Sequence, residues 1–123
     1  MGGMMDDSRP IFVQIAERIE DDIIAGVLPE ESQVPSTNQF AAFYQINPAT
    51  AAKGVNLLVD EQILYKKRGI GMFVATGAKE VLVEKRRQQF YETYVVAMKR
   101  EAAKLGITTE QLAEMVRRGD GKQ

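Results

Sequence analysis

The sequence predicts a mostly helical fold with one small β-hairpin and a short helical tail. Three observations carry this. Apolar residues recur at three- and four-residue spacing in successive segments of the first 60 positions, the spacing drops to two in "ILYKKRGIGMFV", and a helical stripe resumes near residue 79. With 123 residues the chain has room for one compact core and an appendage, not two full domains. No apolar run approaches the ~20 residues that span a bilayer, so no membrane partner is expected. The first eight residues lack the charged-then-apolar order of a secretory signal, which points to the cytoplasm.

In "PIFVQIAERIEDDIIAG", Phe12, Ile15, Ala16, Ile19 and Ile23 share one side of a helix, and Gln14, Glu17, Arg18, Asp21 and Asp22 the other. Ser8 is expected to cap this helix, Pro10 to sit where its missing N–H does no harm and Gly26 to end it. The two prolines of "VLPEESQVPS" make a loop, with a short extended piece near Gln33 and Val34. Ser36 and Gln39 stand in the S-x-x-Q relation, in which two side chains reciprocally satisfy free N–H groups at a helix start. A short second helix follows to about Tyr44, with Phe40, Ala41 and Tyr44 inward.

Gln45 and Ile46 then turn the chain into "NPATAAKG". Asn47 suits an N-cap, and Pro48 at the first helical position has its φ already set. Ala51 or Ala52, Val55, Leu58, Val59 and Ile63 mark the buried side, which leaves Ala49, Thr50, Lys53 and Asn56 facing out with almost nothing bulky among them. After Asp60 and Glu61, residues 64–67 pair with 72–74 across "RGIG", whose glycines permit the positive φ of a tight hairpin.

Cysteine and histidine are both absent, which removes disulfides, thiolate nucleophiles, imidazole bases and nearly every transition-metal site. No spacing of the remaining polar side chains suggests a catalytic pair. Neither an enzyme, nor a metal site, nor a cofactor is expected. The net charge of -1 argues weakly against nucleic acid, but its distribution argues the other way. Residues 1–46 hold eight acids against two bases, whereas residues 47–74 hold Lys53, Lys66, Lys67 and Arg68 against Asp60 and Glu61.

Three helices followed by a cationic hairpin form a winged helix-turn-helix, whose third helix enters the major groove while the wing reaches the neighbouring backbone or minor groove. Small residues then have a reason. Ala49 and the Thr50 methyl can meet a thymine methyl where a larger side chain would hold the helix off the base edges. The expected DNA interface comprises Ser36, Thr37 and Asn38 at the second helix, Asn47, Ala49, Thr50 and Lys53 on the third, and Lys66, Lys67, Arg68, Gly69 and Gly71 in the wing.

With these residues in view, the first 75 or so positions resemble the GntR family of bacterial transcriptional regulators. "PIFVQIAERIEDDIIAG" is similar to the family's P-x-Y-x-Q-I helix, "VPSTNQFAAFYQI" to its L-P-S-x-R-x-L-A block and "RGIGMFV" to its R-G-x-G-x-F-V wing, in the same order and spacing. The resemblance supports Ser36, Thr50, Arg68 and Gly71 as DNA contacts. Two departures stand out: Asn38 replaces a usual Arg, and Asn47, Pro48, Ala49 and Thr50 replace S-R-x-T, so two arginines are missing. Each lost phosphate contact removes about one unit of salt slope, which the cluster at Lys66, Lys67 and Arg68 is placed to offset. The wording and short tail resemble the YtrA-like branch, which implies a compact repressor.

In the tail, Phe90, Tyr91, Tyr94, Val95, Met98, Ala102 and Leu105 form a broad stripe that ends at Gly106 and Ile107, and Thr108 with Gln111 opens a further helix carrying Leu112, Met115 and Val116. Two helices cannot bury so wide a stripe alone, and stable interfaces want ~800 Å² per partner, so a homodimer is expected. Two-fold symmetry then predicts an inverted-repeat, palindromic operator on double-stranded DNA. Residues 8–76 are expected to bind DNA, 77–118 to dimerise and 119–123 to be disordered. A small-molecule effector is not expected, because two helices enclose a pocket of ~300 Å³ only between subunits.

Each feature has a duller reading. Asn47 and Pro48 alone make a good cap, the three cations alone a solvated turn, and "LGITTEQLAEMV" looks like half of another helix-turn-helix. The rival from another class is a winged-helix protein-interaction module without DNA binding, which the acidic balance favours.

Overall fold

A computed structural model of the chain describes residues 8–119. Its elements are α1 (Ile11–Ile24), α2 (Thr37–Tyr44), α3 (Pro48–Asp60), β1 (Leu64–Lys67), β2 (Gly71–Val74), α4 (Ala78–Phe90), a π-helical stretch (Tyr91–Val96), α5 (Ala97–Lys104) and α6 (Thr109–Arg118). They fall into two compact units that divide between Val83 and Glu84. Residues 120–123, expected to be disordered, lie outside the described residues.

In the first unit the helix ends follow local chemistry, with one correction. α1 starts at Ile11, and its N-cap is Pro10 rather than Ser8, a position where the missing N–H of proline does no harm. The reason is the Pro10 ψ of 133°, which leaves that residue extended while its carbonyl accepts the Val13 and Gln14 N–H groups at 3.2 and 3.3 Å. The Ser36–Gln39 box and the Asn47 cap form as expected. α3 ends with Gln62 at φ 64° and the Ile63 N–H returning to the Leu58 carbonyl at 2.9 Å, which buries Ile63 and aims the chain into β1.

The core joins Ile15, Ile19 and Ile23 of α1 to Phe40, Ala41 and Tyr44 of α2 and to Ala51, Val55 and Leu58 of α3. Leu64 and Val74 extend it under the hairpin, and Ala78 and Leu82 of α4 complete it. Phe12 and Val59, expected inward, are half-buried. Gly54 marks the closest approach of α1 and α3: a Cβ there would lie 2.7 Å from the Phe12 carbonyl oxygen and 2.9 Å from Ile15 Cβ. The hairpin pairs antiparallel from Leu64 with Val74 to Lys67 with Gly71. The extended piece near Gln33 lies along β2, with Gln33 bridging Phe73, the Val34 N–H on the Met72 carbonyl and the Val74 N–H on the Ser32 carbonyl, both at 2.9 Å.

In the second unit, α5 closes at Gly106, φ 71°, with the Ile107 N–H on the Ala102 carbonyl at 2.9 Å and the Gly106 N–H on the Ala103 carbonyl at 3.3 Å. The Thr108–Gln111 box then opens α6 as expected. The stripe is helical but not uniformly α: Tyr91–Val96 is π-helical, with a wider turn that shifts the side chains of its face. Phe90 and Tyr94 rings stand 5.4 Å apart. Ala102 is buried and Val95 and Leu112 half-buried, while Phe90, Tyr91, Tyr94, Met98, Leu105, Met115 and Val116 are exposed.

Candidate nucleic-acid interface

Two helix starts and one hairpin tip carry the side chains that the sequence singles out, and all three belong to the first unit. At α2, Ser36 Oγ accepts the Gln39 N–H at 3.1 Å and the Ser36 N–H donates to Gln39 Oε1 at 2.7 Å. Thr37 and Asn38 lie between the two partners of this box in the first turn of α2, and a helix N-terminus of this kind favours anions. Asn38 is exposed and Thr37 half-buried.

At α3, Asn47 Oδ1 accepts the Ala49 N–H at 2.7 Å, and Pro48 brings no N–H to satisfy. One lone pair of Asn47 Oδ1 is therefore used by its own helix, while its amide NH₂ can donate to an outside partner. Ala49, Lys53 and Asn56 are exposed and Thr50 is half-buried. Lys53 is not loose: its Nζ sits 4.1 Å from the centroid of the Phe12 ring, an attraction worth ~0.5–1 kcal/mol at an exposed site.

At the hairpin tip, Gly69 has φ 78° and Gly71 φ 147°, and the Ile70 N–H closes the turn on the Lys67 carbonyl at 2.9 Å. Lys66, Lys67 and Arg68 are exposed. Because successive strand residues point to opposite faces, Lys66 and Lys67 do not share a direction. Lys67 folds back, with Nζ 4.4 Å from the Phe73 ring centroid. Sequence reasoning missed what holds the hairpin. Glu31, in the left-handed region at φ 67°, accepts hydrogen bonds from the Thr76 and Tyr65 hydroxyls. These bonds, Thr76 first, hold its carboxyl below the usual carboxylate range, and the same bond raises the Tyr65 hydroxyl. Gln33 Nε2 donates to the Ile70 carbonyl at 3.0 Å. The partners lie 34 to 45 positions apart, beyond the reach of any local pattern.

Among the described residues no acidic cluster suited to a metal ion occurs, and no helix is long and apolar enough to cross a membrane. Residues 12–74, from the first turn of α1 to the end of β2, match the family of bacterial regulatory proteins described as gntR. The chain belongs to the GntR family. It is 27% identical to the HTH-type transcriptional repressor YtrA of Bacillus subtilis (strain 168), over 89% of this chain and 84% of YtrA. A crystal structure of a GntR-family transcriptional regulator from Bacteroides thetaiotaomicron matches with TM-score 0.75 at 36% identity, over 88% of this chain and 94% of that one. The DNA-binding domain of AraR, solved in complex with operator ORX1, matches with TM-score 0.53 at 27% identity, over 59% of this chain and 89% of that one. These GntR relatives are transcriptional regulators and not enzymes. Every candidate DNA-contact residue lies inside the GntR match, and the exposed stripe of the tail lies outside it.

Proposed function

We propose that this GntR protein is a cytoplasmic repressor that binds an inverted-repeat operator as a homodimer. The observation that carries the reading is the small, capped and exposed start of α3 in the same unit as the cationic hairpin tip. In this reading Ala49, Thr50, Lys53 and the Asn47 amide meet base edges in the major groove. Ser36, Thr37 and Asn38 meet a phosphate at the start of α2, and Lys66, Lys67 and Arg68, with Gly69 and Gly71, follow the adjacent backbone or minor groove. The operator complex of the similar AraR domain and the repressor activity named for YtrA support it.

Residues 8–76 do the binding and 77–118 the pairing, through the stripe from Phe90 to Leu105 and the Leu112, Met115 and Val116 face of α6. An effector, where one acts, sits between subunits. The rival docking module draws on the acid excess before α3. A gel-shift series on duplex DNA from the protein's own upstream region, from about 50 to about 200 mM salt, separates the two. A repressor gives a shift that weakens steeply with salt, and replacing Lys66, Lys67 and Arg68 by Ala flattens that dependence. A docking module gives no shift at the lowest salt.

A further inference from the structure

We infer that Gln33 is a positioning residue for the wing, tying the tip that carries Arg68 to the segment leading into α2. The inference rests on the DNA-binding reading above and concerns a residue outside the interface it assigns.

Gln33 bridges Phe73 in antiparallel sense, and the rungs on either side are made by the Val34 N–H on Met72 and the Val74 N–H on Ser32. Continuing that ladder toward the tip, the next donor would be the Ser36 N–H and its acceptor the Ile70 carbonyl. The rung does not form, because the Ser36 N–H is held by Gln39 Oε1 at 2.7 Å in the capping box. The Gln33 side chain takes the vacated place, its Nε2 reaching the Ile70 carbonyl at 3.0 Å. Only the nitrogen end of the amide suits a carbonyl partner, so the bond fixes the direction of the side chain.

Gly71 fits the same account. A Cβ at that position would lie 2.5 Å from Gln33 Nε2, so the glycine keeps the path of the amide clear as well as allowing φ 147°. The turn closure between Ile70 and Lys67 lies within the hairpin, whereas the Gln33 bond ties the tip to the segment before α2. Two positive-φ glycines, Gly69 and Gly71, flank Ile70, and the Gln33 bond lies two residues from Arg68.

The test is a cycle on the full chain: wild type, Gln33→Ala, the triple Lys66→Ala, Lys67→Ala and Arg68→Ala variant, and the combination. Duplex affinity is measured across salt, and backbone order at residues 69–71 is measured by nuclear spin relaxation without DNA. The clamp predicts that Gln33→Ala lowers tip order parameters from ~0.85 toward ~0.6. It also predicts about fivefold weaker DNA binding with a flatter salt slope, the net worth of one ordinary hydrogen bond, and almost no further loss on the triple background. Gln33→Glu, which keeps the size but cannot donate at pH 7, lowers tip order as Gln33→Ala does. A tip that stays rigid in Gln33→Ala, or an equal loss in both backgrounds, overturns the role of Gln33. A wild-type chain that ignores duplex DNA overturns the DNA reading together with that role, whatever the relaxation data show of the tip.

Discussion

The Lys53 ammonium of α3 lies 4.1 Å from the centroid of the Phe12 ring of α1. The cation nearest the exposed small-residue face is thus oriented before any partner arrives, beside the point where Gly54 lets the two helices touch. A lysine side chain loses up to ~2 kcal/mol of rotamer freedom when it is fixed, so orientation in the free protein reduces what binding must supply.

If Lys53 reads a base edge, Lys53→Met changes preference at one or two base pairs of each half-site by ~1–3 kcal/mol and leaves the other positions alone. Competition between duplexes with single-base changes measures this. The same loss on every duplex would show that Lys53 serves only as a phosphate contact.

Gly54→Ala sets two effects against each other. Alanine is the better helix former by about 1 kcal/mol, but the added Cβ would meet the Phe12 carbonyl oxygen at 2.7 Å, and backbone cannot give way cheaply. Overpacking costs ~1–3 kcal/mol, so the substitution destabilises the domain and lowers its urea midpoint. A raised midpoint would mean that α1 slides freely on α3.

How far the sequence reached follows from the range of each signal. The Ser36–Gln39 and Thr108–Gln111 boxes, the Asn47 cap and the glycine hairpin are read from residues one to six apart, and the structure contains them all. The α1 start departs from expectation because Pro10 adopts an extended ψ, a choice that the residue type leaves open. The π-helical Tyr91–Val96 carries no signature that distinguishes it from an α-helical run. Gln33, Glu31 and the Phe12 ring act across tens of residues, so their roles exist only after the core has brought α1, the loop before α2 and the hairpin together. Of the candidate interface, residue types and elements were legible; what holds the cations in place was not.

Glu31 gives the hairpin a dependence on acid. Its folded carboxyl titrates below the ordinary 4.5 because the Thr76 and Tyr65 hydroxyls donate to the charged form, so its contribution is complete above that value and is lost as pH falls through the lower folded one. Glu31→Gln is therefore less stable than wild type at neutral pH, and the gap closes on acidification below about 4.5. Thermal melts between pH 7 and about pH 3 read it out. A gap that does not change with pH would remove the charged hydrogen bonds from the account.

The uncovered tail predicts association. Phe90 and Tyr94 are 58% and 63% exposed in the single chain, their rings 5.4 Å apart, on a stripe too wide for one helix to hide. The wild-type chain sediments as a dimer at micromolar concentration, and Phe90→Asp with Tyr94→Asp converts it to a monomer that retains the helices of the first unit. A wild-type monomer at that concentration would remove the two-fold operator from the proposal.

The most direct measurement is selection of bound duplexes from a random pool at low ionic strength. The account predicts enrichment of one short motif present twice in inverted orientation, with centres about 10 base pairs, or a multiple of that, apart. A pool that emerges with no enriched sequence, while the protein's own upstream fragment also stays unbound, would contradict the claim that α3 and the wing read DNA.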